Sequence, residues 1–505
     1  MNLHQEAGRD ARSVTRRHPD GPPRWSRARR GGPWWSDPTG GPRDRSIETT
    51  GTGGASARSR ADASRRRARS PGSAPVSTWP AIAATVIFAV AFLFIATEKI
   101  NRVAVVLGAA GLMALLGLVP GSEVFYSHHA GIDWDVIFLL LGMMIIVGVI
   151  KQTGVFEFLA IWAAQRSQGR PYRLMVLLVT ITGLASPVLD NVTTVMLVAP
   201  ITISVCRRLG ISAVPYLIAE VLASNIAGAS TLIGDPPNII IGSRAGLSFN
   251  DFLLHMAPVA LLMFLAFLVL ARFMFRRSFE YHPERFAAVR DMDARAAITD
   301  PAMLTRSLVV LVLVMAAFAL HTVIGVGVAI IALVGAGVMV LVTRADTAKY
   351  VAEVEWPTLV FFLGLFVMVA GLTETGVIEQ IGRWATDAVG ESWFAGATSL
   401  IFGSAVLGAF FDNIPYTATM APIVENIVAG ADPQTGQALW WSFALGADLS
   451  GNGTAVAASA NIVVLGIAAR AGQPISFWQF TRYGIVTTVL TTLIAWGYVW
   501  LRYFA

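Results

Sequence analysis

The chain has 505 residues, of which 55% are hydrophobic and only 14% charged, and a single cysteine, Cys206. Soluble globular domains are about one quarter charged, so a large water-soluble protein is excluded, and one thiol excludes a disulfide framework or a thiolate metal cage within the chain. The net charge of +6 is local: residues 1–78 carry sixteen Arg against seven Asp or Glu, a net of +9, which leaves the remainder at −3.

That first segment, 1–78, is rich in Gly, Pro, Ser and Arg and has no apolar period, so it reads as a disordered Arg-rich tail. Arg16-Arg17 is not followed by an apolar stretch, which argues against a cleavable export signal. Apolar segments then fall at about 79–97, 101–119, 134–152, 213–242 and 252–275, the first transporter repeat (79–275). After a charged linker at 276–302 a second set follows at about 303–320, 322–343, 356–374, 438–468 and 478–502, within 303–505. Such blocks are long enough to cross a hydrocarbon core of roughly 30 Å. Residues 171–208 and 393–430 differ: each is two apolar arms around a polar tip, near Asp190 and Asp412. The arms look short for a comfortable crossing, so each pair is expected to form a re-entrant helical hairpin. Amphipathic pieces at about 155–167 and 377–390 precede the hairpins and should lie near the interface.

The two sets repeat at an offset of 222 residues. Trp134 matches Trp356, Gly142 matches Gly364, and Thr153-Gly154-Val155 matches Thr375-Gly376-Val377. Glu157 and Glu379, Trp162 and Trp384, Asp190-Asn191 and Asp412-Asn413, and Ala199-Pro200 and Ala421-Pro422 follow without a gap. The fold class is therefore an all-α polytopic membrane protein, an inverted repeat of five transmembrane helices plus one re-entrant hairpin each. Five is odd, so the second copy must be upside down. Short-loop charge agrees: Lys99, Arg102, Arg166 to Arg173, Arg207-Arg208, Arg276 to Arg306, Arg344, Lys349 and Arg470 share one side, which should be cytoplasmic. Glu123, Asp133, Asp135, Glu374, Glu391 and Asp432 share the other.

Four polar stretches interrupt apolar helices: 186–194, 225–238, 411–417 and 448–454. Broken helix at membrane depth is tolerated only where it is enclosed by protein or lines a cavity. Pro236-Pro237 removes two donors, and Gly228, Gly234, Gly451 and Gly453 permit unwinding. Freed backbone groups and inward-pointing half-helix ends make an ion site. Each hairpin tip should face one broken helix, giving two half-sites. Asn191, Thr193, Thr194, Asn225, Thr231 and Asn238 would supply the first, and Asn413, Thr417, Asn452 and Thr454 the second. Capping of the hairpin turns is the plainer role for such residues. Asp190, Asp235, Asp412 and Asp448 sit at the breaks and Glu220 within a span. Intramembrane carboxylates usually handle ions or protons, so the four Asp point to a coupling ion, Na+ or H+, and Glu220 to proton coupling. The bland reading of each Asp is a helix N-cap. Lys151 should snorkel to the interface, while His128, His129 and His255 read as surface residues and Cys206 as packing.

The runs Leu189 to Thr194, Ile218 to Val221 and Asn225 to Asn238, with Gly234-Asp235-Pro236-Pro237-Asn238 at the end, resemble the ion transporter superfamily with its citrate-transporter-like domain. Within it, they look closest to the branch of the melanosomal P protein, the bacterial arsenite pump membrane subunit (ArsB) and NhaD-type sodium/proton antiporters. The resemblance covers roughly 79–502 and implies a scaffold part and an elevator-like part carrying the hairpins. Related dicarboxylate transporters bind sodium and substrate at Ser-Asn-Thr tips. This chain has Asp190-Asn191-Val192-Thr193 and Asp412-Asn413-Ile414-Pro415 instead, which argues against di- or tricarboxylate transport.

The expectation is a multi-pass secondary active transporter in the cell membrane, moving arsenite or another small inorganic anion with H+ or Na+. The alternatives are a Na+/H+ antiporter and a citrate-like symporter. An enzyme is not expected, for want of a nucleophile–base pair, a metal set, HExxH or a P-loop. No cofactor is implied. The lipid bilayer and a small ion are the partners, nucleic acid is not, and a homodimer or a separate ATPase subunit is compatible with the sequence.

Overall fold

The computed structural model describes residues 78–505 except 98, 127–130, 280–289, 291–292, 345 and 390–391. The expected tail, all but its last residue, and much of the linker lie outside the described residues, as do His128, His129 and Glu391. Among the described residues every regular element is a helix. A helix satisfies its own backbone hydrogen bonds, which hydrocarbon cannot do.

The first repeat runs α1 (Thr78–Thr97), α2 (Arg102–Leu115), a short α3 (Gly121–Tyr126), α4 (Trp134–Lys151) and α5 (Val155–Ser167). A hairpin of α6 (Pro171–Leu189) and α7 (Asn191–Arg208) follows. Then come a helix in two halves, α8 (Val214–Gly228) and α9 (Pro236–Ala245), and finally α10 (Phe249–His255) and α11 (Ala257–Met274). The second repeat has the same order: α12 (Pro301–Ile324), α13 (Val328–Thr343), short α14 (Thr347–Ala352), α15 (Trp356–Glu374) and α16 (Val377–Val389). Its hairpin is α17 (Trp393–Phe410) and α18 (Asn413–Val428), its split helix α19 (Pro433–Ser450) and α20 (Ser459–Arg470), and its last span α21 (Phe477–Val499). The matched Thr-Gly-Val triplets mark one shared turn. Gly154 and Gly376, at φ +75 and +76, carry the chain from a span into the next helix through a left-handed conformation that side chains disfavour. Of these two helices only α16 is amphipathic as expected, whereas α5 does not segregate its polar and apolar residues.

Packing is exchanged between the repeats. Helix α4 packs on α13 of the other repeat and α15 reciprocally on α2. The matched glycines sit at these crossings: a Cβ on Gly142 would come within 2.7 Å of the Ala332 backbone, and one on Gly364 would strike Val106. Small residues let helix axes approach this closely where van der Waals packing drives association. The half-helices exchange too, α9 lying on α18 and α20 on α7. Outer helices α11 and α12 expose rows of apolar side chains, among them Leu261, Leu265, Val269, Val309, Val312 and Leu313, for hydrocarbon to cover.

Seven described helices are long and apolar enough to cross a membrane by themselves. The first arm of each hairpin is among them, at 19 and 18 residues, so arm length does not mark a re-entrant hairpin as the sequence suggested. What sets the hairpins apart is the vertex, where the polar Asn191 and Asn413 are buried. Lys151 does not snorkel alone but pairs with Glu353.

Candidate ion and substrate site

Each hairpin vertex is tied to the broken helix of its own repeat by the same bonds. The Asn191 backbone N–H donates to the Gly234 carbonyl (3.1 Å) and that of Asn413 to the Ala457 carbonyl (2.9 Å). Thr231 Oγ1 donates to Pro187 O and Thr454 Oγ1 to Ala409 O, both at 2.6 Å. Asn238 Nδ2 donates to Thr231 O (3.0 Å) and Asn461 Nδ2 to Thr454 O (2.9 Å), closing each unwound loop. These bonds supply partners to carbonyls that the helix ends at the vertices and breaks leave out of helical pairing. In the first repeat the break is tight: a Cβ on Gly228 would lie 2.6 Å from Gly234 O and 3.1 Å from Ser186 Oγ.

The two half-sites meet. Asn191 Nδ2 donates to Asn225 Oδ1 (3.2 Å), and Asn225 Nδ2 reaches Asn452 Oδ1 (3.0 Å), Asn461 Oδ1 (3.2 Å) and Gly451 O (3.4 Å) in the other repeat. Asp235 lies beside Asn191 and within electrostatic reach of Asp448, and Asn238 lies against Asp448. Both carboxyls are fully enclosed, at 1% and 0% exposure. None of their four oxygens accepts a hydrogen bond of proper geometry from the protein, nor do Asn191 Oδ1 and Asn238 Oδ1. The centre is thus rich in acceptors and poor in donors, its orphan donors being Asn413 Nδ2 and Asn452 Nδ2.

Other expected site residues are used differently. Asp190 folds onto its own turn, accepting from Thr193 N (2.8 Å) and Thr193 Oγ1 (2.7 Å). Asp412 caps α18 through Ile414 N (3.1 Å), and its second oxygen accepts from Ser459 Oγ (3.1 Å) with Arg102 Nη1 at 3.5 Å. Both tips therefore do capping work. Thr417 Oγ1 is spent on the Asn413 carbonyl (2.7 Å), while Thr194 Oγ1 is buried and unpaired. Glu220 sits away from the centre between α8 and α7, accepting from Thr202 Oγ1 at 2.6 Å with its other oxygen unpaired. The sequence reading does not single out Asn461, the Ser186–Ser224 pair (3.1 Å) beside the first vertex, or Arg102, which counts there only as a loop charge.

Comparison with known proteins places this architecture. The citrate transporter family matches residues 92–446. The chain belongs to that family. An uncharacterised transporter of Mycobacterium tuberculosis is 51% identical over 428 residues, covering 84% of this chain and 99% of the relative. The P protein of Sus scrofa is 30% identical over 497 residues, covering 82% of this chain and 59% of that protein. Among solved structures, the YdaH transporter of Alcanivorax borkumensis superposes with a TM-score of 0.54 at 13% identity, over 77% of this chain and 88% of its own. MtrF of Neisseria gonorrhoeae gives 0.54 at 14%, over 79% and 86%. The member described here is accordingly a multi-pass membrane transporter and not an enzyme, and its similarity to the P protein puts it in the ion transporter superfamily.

Proposed function

We propose that this member is a secondary active transporter in which Asp235 and Asp448 hold the coupling cation, H+ or Na+, and a small anion is the cargo. One observation carries the reading: four carboxyl oxygens from repeat-related broken helices lie within electrostatic reach of one another, buried, with the Asn191 and Asn238 side chains beside them but no hydrogen bond of proper geometry from the described residues. Two neighbouring carboxylates cannot both stay ionised and dry without a cation. Filling and emptying that place from opposite sides of the membrane is what couples one ion flow to another. For the cargo, the Asp-Asn hairpin tips argue against citrate, which leaves arsenite or another small inorganic anion as the first choice; the Asp190-Asn191 order itself sits nearer the P protein and the antiporters. Na+/H+ exchange is the second reading, favoured because the centre is built of acids and amides and no basic side chain among the described residues joins it.

Proteoliposomes holding the full chain and a pH-sensitive dye test both. Cation movement that requires added arsenite supports the first reading. Proton movement on a Na+ jump without any anion supports the second. Arsenite uptake indifferent to both cation gradients would reject cation coupling altogether.

A further inference from the structure

The two hairpin tips carry the same Asp-Asn pair, yet only one is held by a residue from outside its hairpin and broken helix. Asp190 is satisfied within its own turn by Thr193. Asp412 has Pro415, which offers neither an N–H nor a hydroxyl, in place of that threonine, and the acceptor left over is taken by Ser459 and Arg102. Arg102 is the first residue of α2, which packs with α15 and α1 outside the hairpins and broken helices. Its Nη1 donates to Ser459 Oγ at 2.7 Å, and its guanidinium lies 5.4 Å from the centre of the Phe361 ring. It borders a cavity of about 350 Å³, lined by Lys99, Asn101, Arg102, Asp412, Pro415 and Ser459 among others. Ser459 opens α20, so the positive end of a half-helix also faces this space. Two cationic side chains and a helix N-terminus face this cavity, whose own carboxylate is Asp412; Glu355 is within electrostatic reach of Arg102.

We infer that Arg102 is a specificity-determining residue for the anionic cargo. With the cavity free of cargo, the guanidinium holds the second hairpin through Asp412 and Ser459; an oxyanion bound in the cavity takes the guanidinium from that carboxylate. Guanidinium suits the role because its planar donors match two oxygens of an oxyanion at once, which an ammonium cannot do. Recognition is thereby tied to movement: the residue that reads the negative charge is the one whose release frees hairpin and half-helix from α2. The inference rests on the anion-cargo reading above, but its test is an equilibrium measurement that needs no ion gradient.

Ile462 lines the same cavity and is half-buried. In a full chain carrying Cys206→Ser and Ile462→Cys, maleimide labelling is followed with arsenite, inorganic phosphate or citrate as probe. At least one anion should slow labelling. Arg102→Gln should abolish that protection while the protein keeps its thermal stability, and Arg102→Lys should restore part of it. Asp412→Asn, which removes the internal competitor, should lower the half-protecting concentration by about two- to five-fold, the scale of a partly exposed ion pair. A merely structural tie would give altered labelling in Arg102→Gln with unchanged protection by the anion. That result overturns the inference while leaving cation-coupled anion transport standing. If none of the three anions protects the parent chain, the cavity is not the cargo site and the inference falls with it. Loss of gradient-driven uptake in Asp235 or Asp448 variants, with anion protection intact, supports it.

Discussion

The four intramembrane aspartates divide into two pairs, and the division follows position in the fold. Asp190 and Asp412, at the hairpin vertices, cap the helices they precede and have donors for their oxygens. Asp432, in a surface loop, does the same for α19, and hydrogen bonds from Thr435 and Gln434 hold its carboxyl below the usual range. Asp235 and Asp448, on the broken helices, have the Asn191 and Asn238 side chains beside them but accept no hydrogen bond of proper geometry from the described residues. A polar residue at a turn completes local structure, whereas one with nothing local to complete is the one free to bind something that moves. Chemical identity is therefore a poor guide here, and the donor inventory around each carboxyl a better one.

The largest effect should come from the second pair. Asp235→Asn or Asp448→Asn is expected to abolish gradient-driven accumulation in proteoliposomes while the protein still inserts, since the amide keeps the shape but cannot release a proton or neutralise a cation. Undiminished accumulation in both variants would erase the distinction between the pairs. Next comes Asn225→Ala, which removes the side chain joining the repeats and leaves Asn191, Asn452 and Asn461 without that partner. Buried groups stranded in this way cost about 1–3 kcal/mol, so uptake affinity should fall on the order of five- to two-hundred-fold. Gly228→Ala should act on stability rather than chemistry: overpacking against the Gly234 carbonyl costs roughly 1–3 kcal/mol, read as a lowered Tm in detergent. The smallest effect belongs to Asp190→Asn, because Asn caps about as well as Asp. Transport within about two-fold of the parent is expected, and a collapse there would move Asp190 into the other pair.

The breaks in the helices could be read from the chain because their causes are local: Pro236-Pro237 and the glycines forbid regular helix whatever surrounds them. The repeat was readable for a similar reason, as left-handed glycines and tip residues recur at one offset. Asn461 is legible by the same logic. It follows Thr454 by the same seven residues as Asn238 follows Thr231, one residue off the main offset. At that shifted offset Asn225 corresponds to Asp448, so the repeats place their unpaired acids at different positions. Two things were beyond local reading. Arg102 looked like a loop charge because Ser459, its hydrogen-bond partner, lies 357 residues away. The fusion of two half-sites into one centre depends on Asn225 reaching across the repeat interface, which no spacing within a repeat encodes.

The claim that Asp235 and Asp448 exchange a cation can be tested without knowing the cargo. Infrared difference spectra of the purified full chain, taken on raising the pH or adding Na+, should show a protonated carboxyl band that disappears. The band should persist in Asp190→Asn and Asp412→Asn and be missing in Asp235→Asn and Asp448→Asn. A difference band unchanged in both of the latter would place the exchanging carboxyl elsewhere, Glu220 first, and would contradict the assignment of coupling to the broken helices.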